Sequence, residues 1–122
     1  MTGIKVFRDS FVDKVVWKSR LFSLTIGAAA TTAAVSVLGN ARVGQINVAI
    51  PNWTNTVSTT LTIVDSDAFT VYTSNAMTQN TSHHIVDMQN QILIYGSTTW
   101  TFTLSGVPGG AGGNLTFNAY FL

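Results

Sequence analysis

Hydrophobic and polar residues alternate along most of the chain, and from Gln45 onward the period is two. Ile46, Val48 and Ile50 fall on one side of an extended segment, with Gln45, Asn47 and Ala49 on the other. Pro51 ends that run. Leu61 and Ile63 alternate with Thr60 and Thr62, and the turn Asp65–Ala68 precedes a short strand, "FTVYT". "HHIVDM" and "QILIY" predict two more strands. Trp100, Phe102 and Leu104 alternate with Thr99, Thr101 and Thr103; Leu115, Phe117, Ala119 and Phe121 alternate with Thr116, Asn118 and Tyr120. Short two-faced strands between closely spaced turn signals predict an all-β fold, an antiparallel sandwich or barrel, and the expectation taken is a β-sandwich of Ig-like or jelly-roll-like type. No alternation of strands with helices argues for a parallel α/β fold.

Two segments break the pattern. Leu21–Leu38 runs 18 residues without a charge, the length of a membrane span. Its apolarity is diluted by Ser23, Thr25, Thr31, Thr32 and Ser36, and Ala and Thr stand where a span favours Leu and Ile, so buried strands are expected. Residues 1–20 place Ile4, Phe7, Phe11 and Val15 at helical spacing, while Val15 and Trp17 also alternate as a strand would. The division expected is an N-terminal charged arm, 1–20, and a β-sandwich domain, 21–122. Ile4, Phe7, Phe11 and Trp17 are the candidate partner-anchoring residues of the arm.

The Gly-rich stretch Pro108–Asn114 lies between the two cleanest strands. A phosphate-binding loop needs a following helix and a Lys-Ser/Thr pair. This loop leads into a strand, and no Lys follows Lys18. A flexible hairpin tip is therefore expected, with Gly109 and Gly110 as possible contact residues. Trp53, in "PNWTN", reads either as a loop contact or as a cap on the edge of the core.

Charge sharpens this reading. Charged residues make up 9% of the 122, against about 25% in an average soluble domain, and there is no Glu. Five of the six Lys and Arg lie in residues 1–20. The rest of the chain holds Arg42 against Asp65, Asp67 and Asp87. Nucleic-acid binding calls for a basic face across the fold, so no nucleic-acid partner is expected. Eighteen threonines keep a near-neutral surface polar, and such a surface associates readily.

Candidate chemistry is sparse. His83 and His84 are strand neighbours and point to opposite faces, and Asp87 is four residues from His83, over about 12 Å along an extended strand. No metal site follows. Asp65 and Asp67 fit a turn better than calcium, which takes six to eight oxygens. No Gly-x-Ser-x-Gly occurs, and paired carboxylates would have to come from Asp9, Asp13, Asp65, Asp67 and Asp87. No Cys is present to form a disulfide or a thiolate site. An enzyme is not expected, and neither is a cofactor. The Asn-x-Ser/Thr triplets at Asn52, Asn80 and Asn114 fit chance in a chain rich in Asn and Thr.

"VGQINVAIPNWTNTVSTTLTIVDSDAFTVYTS", Val43–Ser74, with the Gly-rich loop and the terminal "NAYFL", resembles small β-sandwich structural proteins of tailed-bacteriophage virions. The likeness spans about Gln45–Leu122. It implies a non-enzymatic, multi-copy part of a virion, a head decoration or minor capsid protein. Its implied partners are copies of itself and other virion proteins such as the major capsid protein, with no membrane. A tail, connector or fibre component is the nearest alternative. A receptor- or glycan-binding module using Trp53 and the Val107–Asn114 loop is a rival of another class.

Overall fold

The computed structural model describes residues 18–85 and 92–121. Nine strands form among them: β1 (Lys18–Ile26), β2 (Thr32–Leu38), β3 (Ala41–Ile50), β4 (Thr59–Val64), β5 (Thr70–Thr73), β6 (Thr81–Ile85), β7 (Ile92–Ile94), β8 (Ser97–Leu104) and β9 (Gly113–Phe121). One sheet has the order β1-β9-β3-β6, with β7 also on β3; the other has the order β2-β8-β4-β5. All pairings are antiparallel.

Successive strands mostly change sheet. β1 and β2 lie in opposite layers, as do β2 and β3, β3 and β4, and β8 and β9. Only β4 and β5 form a hairpin in one sheet. This interleaved order is a jelly roll, two Greek keys wrapped into two packed sheets. It decides between the two sandwich types the sequence left open. Leu21–Leu38, long enough to span a membrane, is instead two strands in different sheets, joined by a turn closed by Ala30 N–H on Gly27 O at 3.1 Å. Among the described residues no helix is long and apolar enough to cross a membrane.

The hairpin expected between the last two strands does not form. β8 pairs with β2 and β4, while β9 pairs with β1 and β3. The Gly-rich loop therefore crosses between layers about 10 Å apart. β1 begins at Lys18, so the first strand takes in the last residues of the segment assigned to the arm. The anchoring candidates Ile4, Phe7, Phe11 and Trp17 lie outside the described residues.

Alternation places the core. Trp100, Phe102, Leu61 and Ile63 from one sheet face Ile46, Val48, Leu115 and Phe117 from the other, and all are at most 1% exposed. Phe117 stacks on Phe22 at 4.7 Å and on Trp100 at 5.5 Å, and tilts against Phe102 at 5.0 Å. These rings tie the layers together. Thr98 is buried but satisfied: its hydroxyl donates to Val37 O and accepts from Trp100 Nε1, each at 3.0 Å.

Candidate interaction surfaces

The jelly roll sorts its loops to two ends, and the ends differ in character. At one end lie the connections β1–β2, β3–β4, β5–β6 and β8–β9. Backbone and amide hydrogen bonds stitch them together. Gly109 N–H donates to Ala28 O at 3.1 Å, and Asn55 N–H to Pro108 O at 2.8 Å. The Asn55 side-chain amide adds a bond to Val107 O. Gln79 joins the next pair of loops: its amide group donates to Trp53 O and Asn52 Oδ1 and accepts from Val57 N–H. None of these loops carries a charged residue.

The Gly-rich loop is thus a sutured element and not a free tip. Gly109 and Gly110 have φ of 72° and 57°. A side chain at either would run into Asn55 or Thr54. Trp53 is 2% exposed and belongs to the core cluster, its ring close against Gly113. Its indole face is not on the loop surface. The interloop roles of Asn55 and Gln79 carry no sequence signal, since both sit in loop segments rich in polar residues.

The opposite end gathers the charges. Lys18 and Arg20 open β1, Arg42 lies near the start of β3, and Asp65 and Asp67 form the β4–β5 turn. These five are all the charged side chains among the described residues. Arg20 lies over the Phe22 ring at 5.0 Å. Asp65 Oδ1 accepts from Asp67 and Phe69 N–H, which fixes the turn. Four large apolar side chains are exposed at this same end: Leu38, Phe69, Leu93 and Tyr95. A cleft of about 480 Å³ opens there between Lys18, Arg20, Leu38, Asn40, Ile94 and Phe121.

The outer faces of the two sheets are nearly free of charge. On the β2-β8-β4-β5 sheet, Thr32, Ala34 and Ser36 lie beside Thr103, Thr101 and Thr99, and these beside Thr60, Thr62 and Val64. On the other sheet, Leu21, Asn118, Asn47 and His84 form one row across four strands. Arg42, at the charged rim, is the exception.

His83 and His84 do not converge. His83 faces the inner side opposite Val48 and its Nε2 lies 2.8 Å from Thr78 O, while His84 Nδ1 lies 3.3 Å from the Gln45 amide. No group of three or more His, Cys, Asp or Glu that could hold a metal occurs among the described residues.

Fold and surface together define a jelly-roll β-sandwich with neutral faces and one charged, apolar end. No protein-family model and no curated protein sequence matches the chain. It is similar in outline to a mitogen from Yersinia pseudotuberculosis, at 11% identity and a TM-score of 0.43, over 85% of this chain and 86% of that one. It is also similar to the Drosophila NLP core, described for pentamer formation and histone binding, at 14% identity and a TM-score of 0.39, over 84% and 96%. VP2 of infectious bursal disease virus, in a subviral particle, is similar at 16% identity and a TM-score of 0.34, over 85% of this chain and 32% of that one.

Proposed function

We propose that the protein is a non-enzymatic structural component of a virion, a multi-copy head decoration or minor capsid protein of a tailed phage. Its sandwich associates with copies of itself and with other virion proteins such as the major capsid protein. Residues 1–17 anchor it, with Ile4, Phe7, Phe11 and Trp17 as the buried contacts.

The observation that carries this reading is the segregation of surface character. Apart from Arg42 at the rim, both outer faces are uncharged, so covering them desolvates few charges. The exposed apolar side chains Leu38, Phe69, Leu93 and Tyr95 collect at the end where β1 begins. Exposed apolar clusters of this kind mark contact sites. The apolar residues of the arm would extend that contact onto a neighbour. The jelly roll itself is a recurrent capsid architecture, though lectin domains and cupins share it.

The test is a chain lacking residues 1–17, which leaves β1 whole. Expressed during infection in place of the full chain, it is expected to keep a β-sheet circular dichroism spectrum and a cooperative thermal transition, and to be missing from purified particles. Normal incorporation of the shortened chain overturns the anchoring role.

A further inference from the structure

A strand at the border of a sheet offers unpaired N–H and C=O groups, and proteins blunt such edges with charge, shortness or bulges. Three of the borders here are blunted. β1 opens with Lys18 and Arg20, which lie on the inner side with Phe22 and Leu24. β5 has four residues and a register shift against β4 between Ile63 and Val64. β6 and β7 share one side of β3 as two short pieces. β2 carries none of these devices. It has seven residues, an unbroken register with β8, and only Thr, Ala, Val, Ser and Leu.

The direction of its free groups follows from parity. Leu104 N–H donates to Thr31 O at 2.7 Å and Gly39 N–H to Gly96 O at 2.8 Å, and both continue the β2–β8 register. Odd-numbered residues thus exchange bonds with β8. The backbone groups of Thr32, Ala34, Ser36 and Leu38 point to the open side. Among the described residues β2 pairs with β8 alone.

We propose that β2 is a homotypic assembly edge, pairing antiparallel with β2 of a second copy about a two-fold axis at Val35. The inference rests on the self-assembling reading above and names its surface. Only pairings of even with even residues use the free groups. The register that uses all of them sets Thr32 against Leu38 and Ala34 against Ser36 of the second copy, and Val35 against itself. A second copy fits because this register is centred on the strand and leaves no free group over. The fit also holds in size and charge. On the outer face small Ala34 meets small Ser36, and no charge faces a like charge. On the inner face the half-buried Ala33 and Val35 gain cover from Val37 and Val35 of the second copy. Such a contact is isologous and closes on itself.

The chain has no cysteine, so single replacements report register cleanly. Val35 would face its equivalent in a non-hydrogen-bonded pair with Cα atoms about 4.5 Å apart, within the range of a disulfide. Val35→Cys is expected to give a covalent dimer on mild oxidation. Ala34→Cys, whose equivalent lies on the diagonal, is expected to cross-link at least tenfold more slowly. Ser36→Pro removes an outward N–H and no backbone bond to β8, only the exposed hydroxyl contact with Ser97 at 3.2 Å, and edge strands accept Pro at such a position. It is expected to keep the wild-type thermal transition and weaken association at least tenfold. Should that variant unfold, Ala34→Lys, an exposed outward change, is expected to weaken association equally. If the full chain assembles but Val35→Cys does not cross-link and neither edge variant weakens association, this edge is wrong and the assembly reading survives. A full-length chain that stays monomeric at every concentration overturns both.

Discussion

Gly112 has a φ of 72°, and a side chain there would overlap the Ile26 carbonyl oxygen and the Gly27 backbone. Two constraints therefore fall on one position where the β8–β9 loop crosses the β1–β2 turn. Gly112→Ala is expected to destabilise the fold by at least about 2 kcal/mol, since holding a non-glycine residue at positive φ alone costs about 1–3 kcal/mol and the backbone overlap adds to it. Gly27→Ala, with open space around it, should stay within about 0.5 kcal/mol of wild type. Paired thermal melts of the two variants check this, and equal midpoints would refute it. The glycine signal was legible in the sequence; its cause was not. The clashes come from Thr54, Asn55, Ile26 and Gly27, all more than fifty residues away. Trp53 follows the same logic. "PNWTN" looks like a loop locally, and burial comes from Gly113 in a distant strand.

At the scale of elements, the two-residue period revealed the strands because one face of each is wet and the other dry. Trp100, Phe102 and Leu104 are buried, while Thr99 and Thr103 are exposed. Pairing was not legible. β8 and β9 show the same alternation, so nothing in either says whether they are neighbours in a sheet or face each other across the core. The eight residues Ser105–Gly112 are long enough for the second arrangement. The contact that joins the layers is aromatic, and Phe117 sits at its centre. Phe117→Ala is expected to cost about 3–5 kcal/mol, the range for a buried aromatic residue cut to Ala. Phe22→Ala, at a half-buried position on edge strand β1, is expected to cost less than half of that. Urea unfolding of both variants gives the comparison. Equal losses would mean that Phe117 does not bridge the sheets.

For the whole molecule, the distribution of charge matters more than its amount. The sequence already placed five of six basic residues in its first twenty. Folding then brings Arg42, Asp65 and Asp67 to the end where that segment enters, and leaves the opposite loops uncharged. The candidate surface was legible as a charge-poor composition, but its geometry was not. The unblunted edge at β2 depends on which strands lie at the borders, a property of topology and not of local pattern. Association through uncharged faces and backbone edges is weakly screened by salt, whereas contacts between exposed charges fade as ionic strength rises. Sedimentation of the full-length chain at about 0.05 M and 0.5 M salt, over a wide concentration range, tests this most directly. The account predicts a defined species of two or more 13.1 kDa subunits that persists at both salt levels. A 13.1 kDa monomer throughout, or an assembly that dissolves in high salt, would contradict it.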